Sequence, residues 1–197
     1  MSRVCRQYRA IGEASGGLPL FVYNLPSSTG TTLTPGLMKR IQEGVPSLKG
    51  LKHSASDSQV GLVSAYVGMG LTCFIGNGRL CLPAMIMGAQ GCIDGPPCMA
   101  PEPWVELYAT IIAGDIEKAK KLQQRCADIS SLVITPHGYE QPAVQKAVLT
   151  ARLGIDCGAP RLPTLPLKPE TLASVLKGAT ELGLGPVKVE GMSSARL

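Results

Sequence analysis

Leu18-Pro19-Leu20-Phe21-Val22-Tyr23 runs directly into Asn24-Leu25-Pro26-Ser27-Ser28-Thr29-Gly30. The first six residues are an apolar run closed by a tyrosine, and the stretch from Asn24 to Gly30 carries turn chemistry. A short continuous run bounded in this way predicts a strand over 18–23, buried on both faces as in parallel sheets. Three further strand candidates follow, over 48–52, 71–75 and 91–94. The segments between them predict helices. Thr34 caps one that has Pro35 in its first turn, Asp57 caps one that runs to about Gly68, and another spans Leu80 to Met87. A weakly helical stretch over 3–15, stopped by Gly16 and Gly17, precedes the first strand.

Helices then take over, at Trp104 to Ala113, 116–133 behind an Asp115 cap, 140–152, and Thr171 to Leu182. The segment 155–168 is proline-rich and extended. The fold class is therefore α/β, with four strand-plus-helix units followed by C-terminal helices. Four such units are half of an eightfold barrel, or else a small open sheet with helices on both faces. Gly114 divides the chain into a sheet region over 1–114 and a helical extension over 115–197.

Composition narrows the function classes. The chain has 197 residues, 45% hydrophobic and 17% charged, enough for a globular core. A net charge of +5, no Lys/Arg run longer than two and few aromatic residues argue against a nucleic-acid partner. No apolar stretch reaches transmembrane length, so a membrane partner is not expected. The first residues carry arginines without an apolar signal core, which makes the cytoplasm the default location. Seven cysteines at irregular spacing, no CxxC and two histidines give neither a disulfide framework nor a metal site, and Cys126 reads as a buried thiol. No glycine-rich dinucleotide fingerprint, phosphate loop or nucleophile elbow is present.

Two ionisable side chains stand at strand ends. Tyr23 closes the first run, and Lys52 closes the second in Gly50-Leu51-Lys52-His53-Ser54. Neighbouring parallel strands lie about 5 Å apart, so both side chains can enter one pocket. A lysine there can form a Schiff base with a ketone, and a tyrosine can move its protons. A surface lysine and a packed aromatic are the ordinary alternatives.

The stretch Leu18 to Gly30 resembles the tyrosine motif of the dihydrodipicolinate synthase / N-acetylneuraminate lyase family of pyruvate-dependent aldolases. Gly50-Leu51-Lys52-His53-Ser54-Ala55-Ser56-Asp57 resembles its Schiff-base lysine motif. Phe74-Ile75-Gly76-Asn77-Gly78, then Met87-Gly88-Ala89-Gln90-Gly91, resemble its seventh and eighth strand region. The resemblance implies a partial (β/α)8 TIM barrel, its last four strand–helix units, plus C-terminal helices. It also implies a chain lacking the N-terminal half of the barrel.

For function, the resemblance implies a class I aldolase or lyase acting on pyruvate or another 2-oxo acid, without a cofactor, as a homo-oligomer. Lys52 would form the imine and Tyr23 would relay protons. Ser54, Asn77, Gly78, Ser28 and Asp94 would contact the substrate. Ser54 and Ser56, with Ala55 between them, read equally as a turn, and Asp94 as a turn residue. Asp57 reads as a helix cap. His53 follows the lysine and should point to the opposite face, in a packing role. Synthases of the family typically carry an arginine where Ser28 stands. Its absence disfavours a dicarboxylic partner and favours a sugar-acid or other 2-oxo acid. The alternatives are a catalytically inactive paralogue of truncated form and a dihydrodipicolinate synthase.

Overall fold

A computed structural model describes residues 2–54 and 56–187. Ala55 and the tail from Lys188 lie outside the described residues. The chain divides into two compact units, Met1–Asp94 and Gly95–Leu197.

In the first unit, α1 (Arg3–Ala14) precedes β1 (Leu20–Asn24), α2 (Pro26–Thr29) and α3 (Pro35–Gly44). Then come β2 (Leu48–His53), α4 (Leu62–Gly68), β3 (Thr72–Ile75), α5 (Cys81–Ile86) and β4 (Gly91–Cys92). The four strands are parallel and stand in chain order, β1-β2-β3-β4.

Helix starts follow their local chemistry. Thr34 Oγ1 accepts the Leu37 N–H at 3.3 Å, and Pro35 occupies the first turn of α3, as expected. The expected single helix from Asp57 to Gly68 is instead a 3₁₀ turn, Asp57–Gln59, followed by α4. The expected loop after Asn24 contains the short helix α2, which Pro26 opens and left-handed Gly30 ends.

The strands are one-sided, which corrects the expectation of burial on both faces. Val22, Leu51, Cys73 and Ile75 are buried with Met38 and Ile41 of α3 and Val63 and Tyr66 of α4. Along β1 the burial alternates, and Phe21 and Tyr23 are 48% and 45% exposed. The apolar runs looked continuous because aromatic rings occupy the open face. Phe21 lies 6.0 Å from Phe74 there, centroid to centroid. Sequential strand order with the core on one face is the pattern of a barrel segment, not of a doubly wound sheet. The first unit is thus a partial (β/α)8 barrel.

In the second unit, α6 (Pro101–Ile112) packs on α7 (Ile116–Ser131), and α8 (Gln141–Leu153) packs on α9 (Pro169–Glu181). In the contact division α6 falls in the second unit, where it packs on α7. Asp115 caps α7 by accepting the Lys118 N–H at 3.0 Å. Cys126 is fully buried on α7. Between α7 and α8 lies an unexpected two-stranded hairpin, β5 (Ile134–Thr135) and β6 (Gly138–Tyr139). Arg152 of α8 is buried, bonds Glu102 at 2.8 Å and also donates to the Met99 carbonyl. Among the described residues no helix is long and apolar enough to cross a membrane.

A one-sided sheet makes the two faces unequal in stability. Leu51→Ala, on the buried face, should cost about 2–5 kcal/mol. Phe21→Ala, on the open face, should cost far less. Denaturant unfolding midpoints of the two variants check this; equal losses would mean that both faces are covered in solution.

Candidate active site

The register of the first strand pair sets the site. In β1–β2, Tyr23 stands opposite Lys52 and Asn24 opposite His53. Because side chains alternate along a strand, each pair shares one face. Tyr23 and Lys52 share the open face, and Asn24 and His53 the buried one.

Lys52 Nζ sits 4.4 Å from the centroid of the Tyr23 ring. Ser54 Oγ donates to the Tyr23 hydroxyl at 3.4 Å. Burial pushes the Tyr23 phenol up. The hydrogen bond from Ser54 and the nearby Lys52 ammonium outweigh burial and hold the phenol below its ordinary value, against an opposing push from Asp94. The arrangement is a phenol with a strengthened acid character beside a primary amine.

Space for this cluster comes from Gly76, at the end of β3. A Cβ there would overlap Ser54 Oγ and come within 2.9 Å of Lys52 Cε. The sequence reading missed Gly76; its signal was a glycine directly after a strand on the next position of the sheet.

The other expected residues divide into two groups. Asp94 Oδ2 accepts the Gly78 N–H at 2.7 Å, which ties the loop after β3 to the end of the segment following β4. Asp94 also acts on Tyr23 through its charge. Asn77 has both ends of its amide engaged by protein. Its Nδ2 donates to Asp57 Oδ1 at 3.1 Å, and its Oδ1 accepts the Arg79 N–H at 3.1 Å. The Asp57 carboxylate therefore bridges to the next loop, where the sequence suggested a helix cap. Ser28 lies on exposed α2, with its N–H donated to the Leu25 carbonyl. The structure thus groups Tyr23, Lys52 and Ser54 directly, links Asp94 to Tyr23 by charge, and places Ser28 on α2, the helix that follows β1. His53 is buried on the opposite face, as its position after Lys52 implied. Among the described residues no three His, Cys, Asp or Glu side chains gather to hold a metal ion.

The sequence profile of the Dihydrodipicolinate synthetase family matches residues 2–181. The chain belongs to this family. It is 34% identical over 170 residues to a 4-hydroxy-tetrahydrodipicolinate synthase of an Exiguobacterium species, covering 86% of this chain and 56% of that protein. It is 28% identical over 177 residues to an N-acetylneuraminate lyase of Mediterraneibacter gnavus, covering 89% of this chain and 56% of the lyase.

Among solved structures, a putative dihydrodipicolinate synthetase from Pseudomonas aeruginosa superposes with a TM-score of 0.79 at 30% identity, over 91% of this chain and 60% of the other. A catalytic lysine mutant of a Ruminococcus gnavus sialic acid aldolase superposes with a TM-score of 0.82 at 26% identity, over 91% and 58%. The chain thus spans somewhat over half the length of these relatives. The expectation of a family member lacking its N-terminal half is corrected by the family match: from residue 2 to residue 181, nearly the full chain lies within the family.

Ser54→Ala removes the hydroxyl that stabilises the Tyr23 phenolate. The Tyr23 pKa should rise in that variant. NMR titration of ring-labelled tyrosine checks it; an unchanged value would mean that Ser54 does not reach the phenol in solution.

Proposed function

We propose that this protein is a Schiff-base lyase or aldolase that cleaves or forms a carbon–carbon bond of a 2-oxo acid, with pyruvate as product or donor. The observation that carries this reading is Lys52 Nζ held at 4.4 Å over the ring of Tyr23, whose hydroxyl is bonded by Ser54.

In this reading the neutral Lys52 amine attacks the C2 carbonyl of the 2-oxo acid. Loss of water gives an iminium, which accepts the electron pair of the breaking carbon–carbon bond. The resulting enamine is protonated and hydrolysed, releasing pyruvate and the free amine. Tyr23 relays protons to the departing hydroxyl and from the bond-cleaving oxygen. The Ser54 hydrogen bond, which does not depend on the Lys52 charge, favours the phenolate and so helps the phenol give up its proton. Ser54 holds the phenol in place through the one proton of its hydroxyl. In this reading the loops after β3 and β4 border the substrate: Asp94, whose charge reaches Tyr23, accepts the Gly78 N–H, and Asn77 donates to Asp57. Imine chemistry of this kind needs neither a metal nor a cofactor.

The relatives support this reaction class. One is a sialic acid aldolase whose solved variant is described by its catalytic lysine, and another is an N-acetylneuraminate lyase. Ser28 supplies no guanidinium for a second carboxylate, which favours a hydroxylated sugar-acid or other 2-oxo acid over a dicarboxylic partner.

Borohydride reduction in the presence of pyruvate should leave a stable adduct on the peptide that contains Lys52, and none in Lys52→Arg. Peptide mass mapping reads this, and folded wild-type protein without an adduct would sink the proposal. Tyr23→Phe should lower turnover by about 10²–10⁴-fold. The ring is half exposed, so its unfolding free energy should change by less than about 1 kcal/mol. Parallel loss of turnover and stability would assign Tyr23 to packing instead.

A further inference from the structure

Beneath the Lys52–Tyr23 pair, on the buried face of the same two strands, lies a closed polar network. Asn24 Oδ1 accepts the Leu33 N–H at 2.9 Å. This fixes the orientation of the Asn24 amide, whose Nδ2 faces His53 Nδ1 at 2.9 Å. An amide N–H can only donate, so Nδ1 must offer its lone pair and the ring proton must sit on Nε2. Nε2 then donates to the Gln59 carbonyl at 3.0 Å. The Tyr66 hydroxyl donates to the Leu33 carbonyl at 2.7 Å, and the Tyr66 ring packs edge-on against the His53 ring at 5.3 Å. Asn24, His53 and Tyr66 are at most 1% exposed.

The ends of this network lie on two segments. Leu33 closes the segment that follows Tyr23, and Gln59 closes the segment that follows Lys52 and carries Ser54. One imidazole therefore ties both segments to the strands beneath the reacting pair.

We propose that His53 is a positioning residue of this site: its neutral Nε2–H tautomer locks the segments after Tyr23 and Lys52 in register, and a proton on Nδ1 releases them. This rests on the reading of Lys52 and Tyr23 as the reacting pair. Protonation puts an N–H against the N–H of Asn24 in a buried site, where a lost hydrogen bond and a desolvated charge both disfavour it.

The physical sign follows. Burial holds the His53 pKa below its ordinary value, partly opposed by the Gln59 carbonyl. The locking contribution is therefore complete above the unfolded value of about 6.5 and is lost as pH falls through the lower folded value. Among the described residues, the fully buried titratable groups of this core besides His53 are Cys5, Tyr66 and Cys73. Burial pushes Tyr66 and Cys73 up to about 12, so neither carries charge in this range. Asp57, two residues before Gln59, places a carboxylate in the same segment, and the comparison variant below retains it.

The test compares wild type with His53→Gln. Glutamine can accept from Asn24 and donate to the Gln59 carbonyl, but it does not titrate. Amide hydrogen exchange, corrected for intrinsic rates, is followed for the Leu33 N–H and for 54–59 from about pH 7.5 to about pH 4. Imidazole ¹⁵N shifts follow the His53 ring in parallel. The expected result is a nitrogen spectrum with Nδ1 unprotonated at neutral pH. Wild-type protection should then fall at least about tenfold as the ring titrates, and His53→Gln should stay protected. Parallel loss in both proteins, unchanged wild-type protection while the ring titrates, or a proton on Nδ1 at neutral pH would each overturn the proposal.

Should His53→Gln not fold, wild-type exchange against the ring titration decides alone. Exchange is read without substrate, so the two readings fail separately. No Lys52 adduct at any pH sinks the reaction and leaves the lock standing. An adduct with protection that ignores the His53 titration sinks the lock and leaves the reaction.

Discussion

The register between β1 and β2 is the constraint on which the rest of the first unit depends. Setting Tyr23 opposite Lys52 necessarily sets Asn24 opposite His53. Alternation then sends the first pair to the open face and the second pair into the core. A slip of one residue would bury an amine and a phenol and expose an amide and an imidazole. The buried pair resists such a slip, because Asn24 and His53 satisfy each other only in this alignment. Polar groups in a core are costly unless paired, so the Asn24–His53 contact specifies register more sharply than apolar side chains would.

Two glycines make the close approach possible. A Cβ at Gly50 would run into the Thr72 carbonyl and the Phe21 ring, and one at Gly76 would displace Ser54. Both face crowded neighbours across the sheet, not a turn that needs a positive φ. The site thus depends on absent side chains as much as on present ones. Gly50 lets β1 and β3 crowd against β2, and Gly76 leaves the hollow into which Lys52 and Ser54 project.

Much of this was legible in the sequence. The four strands, the caps at Thr34 and Asp115, and the pairing of Tyr23 with Lys52 could be read from apolar runs and their terminators. The one-sidedness could not. Phe21 and Phe74 are apolar whether or not they are covered, so periodicity alone fails to show which face is open. Asp57 was misread for a related reason. A carboxylate before a helical stretch predicts a cap, but the bond it makes is to Asn77, distant in sequence and adjacent only through the parallel order of β2 and β3. The β5–β6 hairpin is too short for any pattern, with two residues per strand. The register neighbours of Lys52 were legible; the third dimension behind them was not.

The division of labour between the faces has a consequence for how the site tolerates change. Residues of the buried face carry the packing energy and the Asn24–His53 hydrogen-bond network. Residues of the open face, Phe21, Tyr23 and Lys52, are at least partly exposed and contribute little to the core. Side chains on the open face can therefore be altered at small cost in stability, whereas those on the buried face cannot. His53 belongs to both categories. It is packed against Tyr66 as a core residue and hydrogen-bonded at both ring nitrogens as a polar one. That double role explains why the residue after Lys52 is a ring that fills space and also exchanges one donor for one acceptor. An apolar residue would leave Asn24 and the Gln59 carbonyl unpaired, and an acid would bring a buried charge.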